Sequence, residues 1–221
     1  LGSLAAGVAH DVRNPLNAIK LLSSHAIDTL NGQADNQTAV RQLQTIRSEV
    51  DRLEQIVSGF LSLAKEEELH TEPHTVDDLL RECVGLIQNE AEMRHVSLAA
   101  ELRCGDIRLM LDRKQWTRAM LNVLLNALES CPEGKRVRLF SRASDRTCEI
   151  EVRDDGPGMD KQTLERAFDP YYTTKSTGTG LGLSITRGIV EEHGGAISIT
   201  SSEGAGCQVL ITVPLEQRAA R

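Results

Sequence analysis

The sequence predicts an α+β protein in two parts: an antiparallel helical hairpin at the N-terminus, then a layer of strands covered by helices on one face. Three observations carry that expectation. Apolar residues recur at alternating steps of three and four from Ala5 to Ala64, which lines them along one seam of a helix. After residue 75 the period changes, and short alternating stretches of strand type are interleaved with longer helical ones. Aromatic residues make up only 3% of the 221, so aliphatic side chains have to build the core.

The first helix carries its seam on Ala5, Val8, Val12, Pro15, Ile19, Leu22 and Ala26, and the second on Ala39, Leu43, Ile46, Val50, Leu53, Val57, Phe60 and Ala64. "NGQADN" (31–36) supplies the turn between them. Ile56, Leu61 and Leu63 widen the second apolar face beyond what one hairpin covers, so residues 1–68 are expected to pair with a second copy as a four-helix bundle. "KEEELHTEPH" (65–74) is polar and holds a proline; a linker is expected over 69–75. A second domain then runs from 76 to 217. "TVDDLLRECVGLIQNEAEM" reads as helix and "VSLAAELR" as strand; "DRKQWTRAMLNVLLNALESC" reads as a helix opened by Asp112 as its cap. "RVRLFSRA" and "TCEIEVRD" pair as strands, and "GLGLSITRGIVEEHGG" is a helix with a glycine stop. "AISITSS" and "CQVLITVP" are the closing strands.

Composition excludes several classes. With 32 acidic against 25 basic residues, the net charge is -7, opposite to the basic footprint of a nucleic-acid binder. No apolar run approaches the roughly 20 residues that span a bilayer, and no signal peptide is visible. Membrane contact is therefore not expected of this stretch, and a cytoplasmic location is. The chain opens on Leu1 and enters a periodic helix at once, as a piece of a longer protein would. The five cysteines are scattered without CxxC spacing, so neither a disulfide framework nor a zinc site is expected. His70 and His74 have no ligand cluster beside them.

Four stretches carry chemistry. In "AGVAHDVRNPLNAIK" His10 lies opposite the apolar seam, with Asp11 beside it to hold one tautomer and raise the basicity of the free nitrogen. Pro15 removes the amide that would bond the Asp11 carbonyl, and Asn14 lies one turn beyond His10 on the same face. Taken alone, His10 reads as an ordinary exposed polar residue. "EIEVRDDGPGM" runs from a strand into a glycine turn. Asp154 there can accept from an exocyclic amine such as adenine's, while Gly156 and Gly158 allow close approach of a flat ring; an ordinary Asp-Gly turn is the alternative. In "KSTGTGLGLSI", Gly178, Thr179, Gly180, Leu181 and Gly182 sit where a loop becomes a helix. That place offers amides and a positive dipole end to phosphates, and Lys175 adds charge for the same anion. The spacing is not that of a Walker loop. Asn122 and Asn126 lie four apart on an apolar helix, and either close a helix–helix contact or offer oxygen to a hard cation such as Mg²⁺.

In this order the stretches resemble the conserved boxes of two-component sensor histidine kinases. "HDVRNPL" is similar to the H box, "NVLLNA" to the N box and "DDGPGM" to the first glycine box. "FDPYYTTK" is similar to the F box, "GTGLGLSI" to the second glycine box and "EGAGCQVLITVP" to the closing glycine motif. The proline-bearing H box and "YYTTK" resemble the nitrogen-regulation branch. The resemblance covers essentially the whole chain. It implies a dimerisation and phosphotransfer hairpin followed by an α/β sandwich of the Bergerat ATP-binding type, as in the GHKL superfamily. It also implies ATP-dependent phosphorylation of His10 with Asp11 as its acidic partner, and transfer to a response-regulator receiver domain. Asn126 would hold Mg²⁺ with Asn122 beside it, and Asp154 would read the adenine amine. Gly178 to Gly182 would bind phosphate in a lid spanning roughly 157–178, anchored by Phe168. Asn14 is expected to serve dephosphorylation of the regulator. A GHKL ATPase without a phosphoenzyme is the competing class, and leaves His10, Asp11 and Pro15 unexplained. The chain departs from the family pattern at Asp11, Tyr171, Tyr172, Cys207 and Glu129. Glutamate is frequent at the first and a Phe-Phe pair at the next two. Threonine is common at Cys207, whose thiol is a poor donor for a water-mediated adenine contact. Lysine stands at Glu129 in other branches and could touch phosphate directly there.

Overall fold

The computed structural model describes residues 69–144, 146–175 and 178–215, with scattered positions between 19 and 53. His10, Asp11, Asn14 and Pro15, and the turn expected at 31–36, lie outside the described residues. The chain divides into two compact units, residues 1–67 and 68–221. Every described position of the first unit is helical, and Ser23 and Thr45 donate their hydroxyls one turn back, to Ile19 O at 2.7 Å and Arg41 O at 3.0 Å. Leu43 and Val50, both on the expected seam, are exposed.

The second unit opens with β1 (Glu72–Thr75), antiparallel to β3 (Arg108–Leu111). Residues 72–75 were expected to be linker; they form a strand because β3 offers them a ladder, a long-range partner that a local polarity pattern does not reveal. Helix α1 (Val76–Met93) follows at once, with Asp77 and Asp78 in its first turn, where a helix favours negative charge. Its buried stripe is Val76, Leu79, Leu80, Cys83, Ile87 and Ala91, the helical period of an amphipathic face. Strand β2 (Ser97–Arg103) leads through β3 into α2 (Arg113–Ser130). Asp112 caps α2 as expected, accepting from Gln115 N at 3.1 Å. Strands β4 (Arg136–Ala143) and β5 (Thr147–Asp154) pair antiparallel. After them come the short α3 (Lys161–Arg166), α4 (Gly182–Glu192), β6 (Ala196–Ser201) and β7 (Cys207–Pro214).

The main sheet has the order β2-β4-β5-β7-β6, with only β2–β4 parallel. Strand alternation turns Val137 and Leu139 of β4, Ile150 and Val152 of β5, and Ile211 and Val213 of β7 to one buried face. They share a single core with Leu80 and Ile87 of α1, Trp116, Met120 and Leu124 of α2, and Val190 of α4. Two buried polar groups bolt the layers together. The Asp77 carboxylate accepts from Ser141 Oγ at 2.6 Å and Gly105 N at 2.9 Å. His193 ends α4, and its Nε2 accepts from Asp112 N at 2.9 Å. The proton therefore sits on Nδ1, which faces Ile189 O at 2.7 Å, and the ring meets Trp116 edge-on at 5.6 Å. Gly194 takes φ of 73° beyond it, the glycine stop read from "HGG".

Candidate functional site

Asp154 closes β5, opposite Cys207 of β7 and Val137 of β4. The alternation that buries Ile150 and Val152 also turns Asp154 inward, and it is 8% exposed. Its Oδ1 accepts from Gly156 N at 2.9 Å and Cys207 N at 3.3 Å. Among the described residues Oδ2 has no protein partner, so one oxygen fixes the rotamer and the other is left for an incoming donor. Burial pushes the Asp154 carboxyl up, against the pull of those two amides. Its neighbour Asp155 points elsewhere, to Arg138 at 3.1 Å and Arg136 at 3.3 Å. Desolvation lifts Asp155, but the two guanidiniums outweigh it and hold the carboxyl below its usual range.

The glycines beside Asp154 are there for lack of room. A Cβ on Gly156 would lie 2.6 Å from Asp154 Oδ1 and 2.8 Å from the Ser130 carbonyl. Gly158 has φ of 71°, and a Cβ there would run into the Ser202 carbonyl. The closing motif braces the same turn: Ser201 Oγ accepts from Met159 N at 2.9 Å and donates to Gly206 O at 2.7 Å. Burial and then the Asp154 charge push the Cys207 thiol up to about 12.

At the other end, α2 presents Asn122 and Asn126 one turn apart. Asn122 Nδ2 donates to Thr186 Oγ1 of α4 at 2.8 Å, and that hydroxyl donates to Gly182 O at 3.0 Å. Asn122 thus does close a helix–helix contact, and the absence of a side chain at Gly182 makes space for it. Asn126 Oδ1 accepts from Lys175 Nζ at 3.3 Å, and the same ammonium sits 2.6 Å from Glu129 Oε2. Helix α4 begins just beyond. Leu181 is its buried cap residue, with its N–H toward Thr179 Oγ1 at 3.5 Å. The first intrahelical bond runs from Ile185 N to Leu181 O at 3.0 Å, so the amides of the first turn have no such bond. Free amides at a helix start are chemically suited to an anion.

The segment between the two ends is pinned by ring contacts. The Arg187 guanidinium of α4 lies 3.9 Å over Phe168, and Arg166 of α3 lies 4.1 Å over Tyr172. Gly180, at φ of 67°, accepts from Tyr171 N at 2.9 Å. A Cβ there would fall 2.7 Å from Tyr172 N. Gly178 N closes a turn onto Lys175 O at 3.2 Å, and Thr173 Oγ1 accepts from Lys175 N at 3.1 Å.

The structure therefore brings Asn122, Asn126, Lys175, Thr179, Leu181 and Gly178 to Gly182 together around the start of α4, and sets Asp154, Gly156 and Gly158 at the strand end. Thr186, Arg187 and the bond between Glu129 and Lys175 have no signature in the sequence. Thr186 is a single hydroxyl on a helix, and the other two depend on pairings across distant segments.

Residues 1–69 match the His Kinase A (phospho-acceptor) domain, and residues 111–217 match the histidine kinase-, DNA gyrase B- and HSP90-like ATPase domain. Sporulation kinase E of Bacillus subtilis (strain 168) is 35% identical over 220 residues, 99% of this chain and 29% of that protein. Sensor histidine kinase ZraS of Salmonella typhimurium is 35% identical over 221 residues, 99% of this chain and 46% of that protein. The chain spans less than half the length of both relatives. Among solved structures, histidine kinase ThkA in complex with response regulator protein TrrA superposes with a TM-score of 0.81 at 27% identity, covering 99% of this chain and 63% of that one. The nucleotide-free catalytic domain of ThkA alone gives 0.62 at 28% identity, over 68% of this chain and 100% of that one.

Proposed function

The chain belongs to the two-component sensor histidine kinases, and we propose that it phosphorylates its own His10 with ATP and passes the phosphoryl group to an aspartate of a response-regulator receiver domain. The ATPase domain implies ATP binding. The observation that carries the reading is the pairing of a buried, half-satisfied Asp154 carboxylate with a glycine-lined helix start that also holds Asn126 and Lys175. The first suits a donor such as the adenine amine; the second suits a chain of phosphates.

In this mechanism Asp154 Oδ2 accepts from the adenine amine, and Gly156 and Gly158 leave space for the ring. The α4 amides and Lys175 meet the phosphates, which have to be held in line with the nucleophile. Mg²⁺ fits the donors present, since Asn126 offers a neutral amide oxygen that already meets a cation, the Lys175 ammonium. When bound, the metal supplies charge neutralisation on the phosphates. The neutral His10 imidazole forms the N–P bond while the bond from the γ-phosphorus to the bridging oxygen breaks, leaving ADP. Asp11 holds the imidazole tautomer. Asn122 is an amide bound to Thr186 and takes no proton from water, so hydrolysis is slow and the phosphate is kept for His10.

Residues 1–68 form the dimerisation and phosphotransfer domain. The exposure of Leu43 and Val50 on the seam supports a second copy covering them. The catalytic domain begins with β1 at Glu72 and runs to about residue 217. ThkA is solved with a response regulator, which supports a partner of that class here. Asn14 orients water on the phospho-regulator for dephosphorylation. The experiment is incubation with γ-³²P-ATP. Acid-labile label must appear on the chain and vanish in His10→Gln, with ATP affinity kept within a few-fold. Persistent label in that variant would overturn the assignment.

A further inference from the structure

We propose that Glu129 is a positioning residue that competes with the nucleotide's phosphates for Lys175, and so sets how tightly phosphate-bearing nucleotides are held. The inference rests on the ATP-binding reading of the site. Glu129 follows Asn126 by three positions on α2, so both project from one face. Their oxygens converge on a single cation, the Lys175 ammonium, at 2.6 Å and 3.3 Å. Lys175 reaches them from the far end of the segment that starts at Asp155, and its backbone is fixed separately by Thr173 and Gly178. The side chain can thus turn about its own bonds while its Cα stays in place.

A phosphate chain at the start of α4 needs that ammonium. Glu129 cannot help bind phosphate, because it carries the same sign of charge. The ion pair is half open to water, with side chains 34% and 42% exposed, and such pairs are weak and exchangeable. The ammonium is therefore held by Glu129 loosely enough for phosphate to take it. When phosphate leaves, the carboxylate takes it back. Asn126, being neutral, gives up the ammonium without a charge penalty and keeps its oxygen for a metal. The device makes product nucleotide leave more readily than Lys175 alone would allow.

The test is calorimetric titration of the full chain with a non-hydrolysable ATP analogue, ADP and adenosine, each with Mg²⁺. Glu129→Gln preserves size at an exposed position. It is expected to tighten the ATP analogue and ADP about three- to fivefold, the scale of an exposed ion pair, and to leave adenosine unchanged. Lys175→Gln weakens both phosphate-bearing ligands and spares adenosine. In the double variant the gain from removing Glu129 shrinks, because its competitor is gone. High salt narrows the difference between parent and Glu129→Gln. Weaker binding of the ATP analogue to Glu129→Gln would overturn the proposal and make Glu129 a metal ligand. Equal affinities in parent and variant would overturn it as well. A parent that binds neither adenosine nor the ATP analogue would instead remove the underlying reading of the site.

Discussion

Replacing Gly182 by alanine should separate stability from nucleotide binding. Gly182 is the first residue of α4, and its φ is not in the left-handed region, so alanine is admitted by the backbone. Reduced freedom of the unfolded chain then stabilises the fold by about 0.4–1 kcal/mol. Against this stands Asn122. The new Cβ would lie 2.8 Å from Asn122 Nδ2 and 2.9 Å from its Cγ, so the amide has to retreat to the usual contact of roughly 3.5 Å. That movement breaks the bond to Thr186 Oγ1, worth about 0.5–1.5 kcal/mol. The two effects nearly cancel, and urea unfolding should place the variant within about 1 kcal/mol of the parent. ATP affinity, by contrast, should fall about tenfold or more, roughly 1.4 kcal/mol, because the amide swings into the space at the start of α4. A loss of more than about 2 kcal/mol in stability, or ATP affinity equal to the parent's, would refute the packing argument.

Asp154→Asn follows a different logic. Burial raises the folded carboxyl above its unfolded value, so the ionised form is disfavoured by folding, and that penalty is fully present at pH 7. The penalty fades as pH falls through the raised folded value toward the unfolded one. The variant should therefore be at least as stable as the parent at pH 7 and lose that advantage below about pH 4, while no longer discriminating ATP from GTP; denaturation at the two pH values and competitive titration check both parts. Gly206→Ala should be severe. At φ of 76° with a Cβ running into the Asp154 carbonyl, it costs about 1–2 kcal/mol for the backbone alone and moves the strand end, so adenosine affinity should collapse; retained affinity would count against it. Thiol reagents at pH 8 should find Cys83, Cys131, Cys148 and Cys207 slow to react, since burial raises all four and takes Cys83 to about 11; a fast burst from the native protein would contradict this.

What the sequence disclosed and what it concealed differ in range. Helices α1, α2 and α4 and the strands of the main sheet announce themselves through period and end signals such as Asp112 and Gly194, all local. Strands β1 and β3 are four residues each, too short for alternation to stand out, and each exists only because the other is there. Helix α3 is a single capped turn and a half, held by Asp160 on Thr163 N at 2.6 Å, with no buried residue to give it a stripe. The site shows the same division. Asp154 is marked by its position at a strand end, and the glycines by their spacing. The partners of Asn122 and Lys175 were not legible, because they are set by how α2 meets α4 and the segment before it.

The sheet order also governs how the domain comes into being. Strand β7 is the last strand in chain order among the described residues, yet it lies between β5 and β6 rather than at a margin. As the chain leaves the ribosome, β5 has no neighbour on one side and β6 has none at all until residues 207–214 emerge. Cys207, whose amide fixes the Asp154 carboxylate, arrives with them. The domain therefore assembles after its synthesis rather than during it. A chain cut before Cys207 would lose a central strand, and with it the amide that orients the Asp154 carboxylate.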